Sequence, residues 1–491
     1  MSLSPSEPIE PTSAGSDSPS ASLPDLRSEE PSSAQAGKQP DGLPQQEPFS
    51  EPAARPIAES APAPMAQPAP PAPISEAELS EEELTEAQQY GRLQRQCMLA
   101  DRAMDLVYWG LMGGWVARPV DAFLASADLL ARAETLRLAG LLLLLILGHA
   151  AVSLPLSFYA GYVLEHRFGL SRLTVLRWAW RYGKQLALAV VLTLPVLLGL
   201  FWIIRWTGPW WWVVGAGAFF LLSVVLGQLA PVLILPMFYR VEKLDRPELL
   251  DRLRQLAHSA GLSVEGVYRL DLSVETVKAN AALAGLGRTR RVLLADTLLD
   301  HFPADEIETI FAHELGHHVH RHIPKMLLLG LAASAGGFWL CDRLLAWWVG
   351  LGQAAQQAEA ALSARTEGFP DRLVQAAQLA YEQFPAWAMA LVVFLLALLS
   401  TLMEPFLNAL SRHHERQADR YALERTANPA GFIRAFRRLA RLNKEDPQPP
   451  RWEVLLFYTH PPIQERIAQA EQHTLFQEPQ TSSHLPGSRQ T

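Results

Sequence analysis

Hydrophobic residues along this chain gather into long uncharged blocks separated by polar stretches, and several blocks have the length of a membrane crossing. A helix needs about 20 apolar residues to cross the hydrocarbon layer. Four runs reach that size: Arg137 to Glu165, Lys184 to Arg205, Trp206 to Tyr239, and Gln383 to Met403. A fifth, Met326 to about Gly350, is interrupted by Asp342 and Arg343. Adjacent opposite charges there predict a face turned to protein or to a watery cavity rather than to lipid. A sixth, Met104 to Ala127, carries Asp105, Arg118 and Asp121 and reads equally as a crossing or as a buried or interfacial helix. The pattern predicts a mainly α fold, a polytopic transmembrane helical bundle. His149, alone in an apolar run, reads as a satisfied core histidine, and the tryptophans at 206 and 210 to 212 as an interfacial belt.

Between the blocks the periodicity changes. Residues 303 to 322, PADEIETIFAHELGHHVHRH, place Ile307, Ile310, Phe311 and Leu315 at helical spacing behind a proline and first-turn acids, which predicts an amphipathic helix. Residues 411 to 424, SRHHERQADRYALE, read as a second helix directly after the last apolar run. Thr276 to Asp296 reads as a hairpin, with a strand up to Leu283, a turn at Gly285 to Gly287 and a second strand Arg291 to Ala295. The loop from Glu165 to Lys184 carries five bases against one acid, which predicts a cytoplasmic position. Counting crossings from there puts Arg240 to Lys325 and everything after Glu404 on the cytoplasmic side, and Leu351 to Glu382 outside.

Charge separates the chain into two materials. Of 37 prolines, 17 lie in residues 1 to 86, with 16 acids against three bases, so this segment carries -13 of a net -8 and the remainder is near +5. So acidic and apolar-poor a segment predicts a disordered tail. The full division expected is a tail over 1–88, membrane helices over 100–239, a catalytic segment over 240–325, two membrane helices with an external loop over 326–404, a second catalytic segment over 405–475, and a disordered end over 476–491. Two distant cysteines, Cys97 and Cys341, exclude a disulfide framework or a cysteine metal site. The first thirty residues lack a basic start followed by an apolar stretch, so insertion is expected to rely on internal segments. No nucleic-acid partner is expected.

The chemistry lies in the two polar helices. His313 and His317 are four apart, so one helix face presents two imidazoles to one zinc ion, with Glu314 placed as general base for a water activated by that ion. A catalytic zinc takes a third protein ligand and leaves one position open. Glu415 is the candidate, and Asp419, four residues on, can orient a ligating histidine through its second ring nitrogen. His318, His320 and His322 read as interfacial polar residues, and His413 and His414 fall off the Glu415 face.

These segments, with VLEHRFGLS at 163 to 171, NAALAGLGRTRRVLLADTLL at 280 to 299 and HPPIQER at 460 to 466, resemble the type I CAAX prenyl proteases, membrane zinc endopeptidases of the gluzincin kind. The resemblance runs from about Leu138 to Ala468. It implies His313, His317 and Glu415 as ligands to one zinc per chain and Glu314 as base. It further implies Asp419 as a supporting acid, and His460 with Arg466 as stabilisers of the oxyanion. Asn280 and Ala281 would lie at a strand edge that takes an extended substrate as an added strand. The membrane helices would surround a water-filled chamber, which Asp342 and Arg343 would suit. Three features depart from that family: six spans in place of seven, AALAGLG in place of an aromatic-rich stretch after the asparagine, and the acidic tail.

The function expected is therefore a membrane zinc metalloendopeptidase acting near the cytoplasmic leaflet on peptides or proteins, prenylated ones among the candidates. A bacterial inner membrane is the favoured location and the endoplasmic reticulum the alternative. An HtpX-like quality-control protease shares the zinc signature but has fewer spans. An intramembrane protease would bury HExxH in an apolar run. A metal-free scaffold acting through its tail would hold no zinc.

Overall fold

The computed structural model describes residues 78–261, 266–284, 291–362 and 369–477. Helix α1 (Glu81–Leu111) continues through a π-helical turn into a short helix, Ala117–Ala125. Next come α2 (Glu134–Phe158), extended to Arg167, then α3 (Val175–Thr207) and α4 (Trp211–Leu229), extended to Phe238. Four stretches are long and apolar enough to cross a membrane: Glu134–Arg167, Val175–Phe238, His322–Val349 and Ala388–Thr426. The second of these is two helices, α3 and α4, which pack on each other. Gly208 divides them with φ +54, a conformation that suits glycine. Only 22%, or in one case 6%, of each apolar window is buried within the protein. Leu221, Leu328 and Trp347 are exposed within these stretches, as suits a surface that faces lipid.

The charges of the sixth run each meet a partner. Asp105 meets His149 at 2.7 Å, Asp121 meets Arg137 at 2.9 Å, and the Arg118 guanidinium lies 4.2 Å from the Trp387 ring centroid. His149 is thus satisfied, as its solitary position predicts. The expected watery setting of Asp342 is corrected. Its carboxylate is fully buried and accepts from Trp211 Nε1 at 2.7 Å, from the Tyr381 hydroxyl at 2.5 Å and from Arg343. The cost of burying this carboxylate is offset by three donors, from Trp211, Tyr381 and Arg343. The Arg343 side chain itself stays half exposed.

Outside the bundle lies a small α/β unit. Strand β1 (Val241–Lys243), helix α5 (Pro247–Ser259), β2 (Gly266–Leu270), β3 (Ala281–Ala284) and β4 (Arg291–Ala295) precede α6 (Ala304–Val319). The sheet order is β1-β2-β4-β3, with β2 parallel to β4 and the other pairs antiparallel. The expected β3–β4 hairpin forms, although its turn lies outside the described residues, and β1 and β2 enlarge it to four strands. Central β4 is buried from Val292 to Ala295, as a strand covered on both faces requires. Against the sheet pack Ile307, Ile310, Phe311 and Leu315 of α6, the four residues whose spacing predicts that helix.

Then α6 turns at Arg321, whose φ is +55, into α7 (His322–Val349). Helices α8 (Leu351–Leu362) and α9 (Phe369–Glu382) follow, then α10 (Ala388–Thr426), α11 (Pro429–Asn443), α12 (Arg451–Phe457) and α13 (Ile463–Gln477). The last apolar run and the second motif helix are therefore one helix, α10. The expected disordered end begins too early by two residues, because α13 runs through Gln477.

The expected tail boundary also needs correction. Residues 81 to 88 are helical, opened by a Ser80–Glu83 capping box. Two of their four acids have basic partners: Glu83 with Arg441 at 2.8 Å, and Glu86 with Lys444. In composition these acids blend with the tail, but basic residues on α11 give them partners. The basic loop after α2 docks on the α/β unit as well. Arg172 N–H donates to the Glu275 carbonyl at 2.9 Å, Val277 N–H donates to the Leu170 carbonyl at 3.2 Å, and Arg181 pairs with Glu275.

Candidate metal centre

Two helices build the centre, and a glycine lets them touch. A Cβ on Gly316 would stand 2.9 Å from Ala418 Cα, so the HELGH segment can lie against α10 only because position 316 has no side chain. That approach sets His313 and His317 of α6 opposite Glu415 of α10. His313 Nε2 and His317 Nε2 are 3.2 Å apart, and each is 3.2 Å from a Glu415 carboxylate oxygen. Ligands of a tetrahedral zinc with bonds near 2.0–2.1 Å stand about 3.3 Å from one another, so the two imidazole nitrogens, and each nitrogen with one of the two Glu415 oxygens, already have the spacing of a metal's coordination edge. Glu415 Oε2 is buried without a hydrogen-bond partner, an arrangement that a cation relieves. The donor set, two imidazoles and a carboxylate, is that of a catalytic zinc site. Among the described residues these are the three that could jointly hold a metal ion.

Around them runs a network of supporting charges. Asp419, fully buried, accepts from His313 Nδ1 at 2.8 Å and from Arg466 Nε at 2.9 Å. This leaves His313 Nε2 to face the metal position. Arg466 is buried too, with Nη2 at 3.8 Å from Glu415, and its guanidinium stacks 3.9 Å from the Phe436 ring centroid. Burial opposes charge on Asp419, but Arg466 and His313 hold its carboxyl below the usual range. Burial likewise opposes charge on Glu415, which the His313 and His317 imidazoles beside it hold well below that range. Burial opposes the charged form of His313, yet bonds to Asp419 and Glu415 carry it up to about 9. A metal ion entering the site would release that proton.

An open cavity of about 540 Å³ adjoins the centre, lined among others by Asn280, Ala281, His313, Glu314, His460 and Arg466. The residues singled out from sequence are therefore brought together. His460 Nε2 lies 3.5 Å from Glu415, and its Nδ1 is 2.8 Å from the Thr459 hydroxyl. Burial in the cleft lowers the His460 pKa.

His322 departs from the expectation of an interfacial residue. It is buried, its Nδ1 meets His317 Nδ1 at 3.1 Å, and its Nε2 meets Gln417 Oε1 at 2.9 Å. It thereby supports the second ligand as Asp419 supports the first. His414 stacks on it, with ring centroids 4.2 Å apart. The sequence holds a faint signal for this pair, since Gln417 lies two residues after Glu415, but the link depends on the Arg321 turn. Tyr90 on α1 also lines the cavity, and nothing in its sequence surroundings marks it.

Two family models match the chain. Peptidase family M48 matches residues 243–474, and the model described as CAAX prenyl protease N-terminal, five membrane helices, matches residues 65–240. The chain has four long helices in the latter interval, counting α1 with its continuation. An uncharacterized metalloprotease, YhfN, of Bacillus subtilis (strain 168) is 27% identical over 79% of this chain and 85% of its own length. CAAX prenyl protease 1 of Saccharomyces cerevisiae is 28% identical over 64% of this chain and 68% of its own. The crystal structure of S. mikatae Ste24p shares the fold, with a TM-score of 0.62 at 24% identity, covering 80% of this chain and 89% of that one.

Proposed function

We propose, from the premise that the chain belongs to the M48 peptidase family and is a multi-pass membrane metalloprotease, that it holds one zinc ion between His313, His317 and Glu415 and cuts peptides at the cytoplasmic face. The observation that carries this reading is the cluster of ligand groups, the two Nε2 atoms 3.2 Å apart and each 3.2 Å from one of the two Glu415 oxygens, beside a cavity lined by Glu314. A zinc ion bound there supplies a Lewis acid that polarises a peptide carbonyl and brings the pKa of a water near 7. Glu314 takes the proton from the attacking water and passes it to the leaving amine. With the Thr459 hydroxyl donating to Nδ1, the His460 imidazole keeps its proton on Nε2 and donates to the carbonyl oxygen as negative charge develops there. Arg466 adds positive charge from behind and, through Asp419, fixes the tautomer of His313. Asn280 and Ala281 present the substrate strand.

The cytoplasmic position is supported by the basic loop from Glu165 to Lys184, which docks directly on the segment before β3. The relatives named CAAX prenyl protease support a prenylated CAAX-type substrate, and the Bacillus relative supports a bacterial cell membrane as the location. The test compares wild type with Glu314→Gln on farnesylated and plain peptides. We expect the variant to lose about 10²–10⁴ in rate with its metal content unchanged, and wild type to favour the farnesylated peptide. Equal wild-type rates on both peptides would remove the prenyl assignment, and an active Glu314→Gln enzyme would remove the mechanism.

A further inference from the structure

Strand β3 is one of the two edge strands of the sheet, and its backbone groups alternate between β4 and the cleft. The Asn280 carbonyl accepts from Ala295 N–H at 3.0 Å, and the Lys278 carbonyl accepts from the Thr297 hydroxyl at 2.8 Å. Even-numbered positions here therefore face inward, and Ala279 and Ala281 turn their polar groups outward. Ala281 lines the cavity. Ala279 is already engaged: its N–H donates to Asn443 Oδ1 at 2.9 Å, and its carbonyl accepts from Asn443 Nδ2 at 3.4 Å. One side-chain amide thus supplies the acceptor and the donor that a residue of a neighbouring strand would supply.

Asn443 is held firmly in this role. It is the last residue of α11, and Lys444 after it takes the left-handed conformation, φ +52. A side-chain-bearing residue adopts that conformation at a cost and keeps it where its surroundings demand it. Here Lys444 N–H and Glu445 N–H both return to the Ala440 carbonyl, and the Lys444 ammonium pairs with Glu86 of α1.

We propose that Asn443 terminates the peptide-binding edge, standing in for a strand residue opposite Ala279 and so stopping a bound peptide from pairing beyond Ala281. Antiparallel pairing is the more stable arrangement, and a peptide running opposite to β3 brings its C-terminal part toward Ala279. Asn443 is then a specificity-determining residue that limits the length of chain on the leaving side and favours scissile bonds close to a C-terminus. The inference rests on the proposed use of the β3 edge as a substrate strand.

The full-length protein in detergent would be given a farnesylated CAAX peptide and the same peptide progressively lengthened at its C-terminus, with products identified by mass spectrometry. Wild type should cleave the lengthened peptides at least about tenfold less efficiently than the short one, and Asn443→Ala should narrow that ratio about tenfold, both peptides being measured on one folded preparation of the variant. If the alanine protein fails to fold, Asn443→Asp, which keeps the acceptor for Ala279 N–H and loses the donor, should still narrow the ratio. A wild-type ratio near one, or an unchanged ratio in a folded variant, overturns the inference while leaving the protease reading intact. No wild-type cleavage of the short peptide overturns the protease reading and this inference with it.

Discussion

Asp419 holds two neighbours at once, His313 through its Nδ1 and Arg466 through its guanidinium, so its removal should register in two measurements. Asn at 419 still offers an oxygen to His313 but leaves Arg466 buried without its main counter-charge. We expect Asp419→Asn to weaken zinc binding about 10- to 100-fold in a metal titration and to lower stability by about 3–5 kcal/mol in thermal unfolding. Two of the ligands, His313 and His317, are legible from sequence because four-residue spacing sets both imidazoles on one helix face, whereas Glu415 is read from a second helical pattern about a hundred residues on. The supports were less so. Asp419 stands at the same spacing from Glu415 and could be inferred, whereas His322 and Gln417 find each other only because the backbone reverses at Arg321. Asn443 is one amide at a helix end, with no companion residue in sequence to mark it.

Among the elements, α6 and α10 are the pair on which the centre depends, and Gly316 is their narrowest point. Alanine at 316 would favour the helix by about 1 kcal/mol yet force a methyl group onto the Ala418 backbone, an overpacking worth about 1–3 kcal/mol. The net change in stability should be small, while the separation of His317 from Glu415 grows. Gly316→Ala is therefore expected to lose far more activity and zinc occupancy than melting temperature, measured side by side on one preparation. Helices of this length were readable from apolar blocks and from the 3.6-residue repeat of Ile307, Ile310, Phe311 and Leu315. The sheet was readable only in its local half. The β3–β4 hairpin joins neighbours in sequence, but β1 is three residues with no alternation, and β2 reaches β4 by a parallel pairing across a long connection, which no local pattern records.

For the whole molecule, the N-terminal helix is a structural member of the catalytic unit. Glu83 and Glu86 hold α11, Arg95 pairs with Glu453 of α12, and the Tyr90 hydroxyl donates to Glu165 while Lys278 Nζ donates to that hydroxyl at 2.8 Å. Removing residues 1 to 77 should leave peptide cleavage within a few-fold of wild type, whereas removing residues 1 to 94 should abolish it and lower the melting temperature, because the cut strips Tyr90 from the cavity wall together with the Glu83 and Glu86 pairs. Averaging acids over the first 86 residues hid this helix in the tail, since composition is blind to what a charge will meet. A single helix, α10, carries both the membrane span from Ala388 and the ligand Glu415, and α6 is joined to the span α7 by little more than the bend at Arg321. A bilayer of different thickness that tilts or lifts these rods must shift imidazoles and carboxylate against each other, so the lipid around this enzyme acts as a mechanical tuning of its bond-breaking centre.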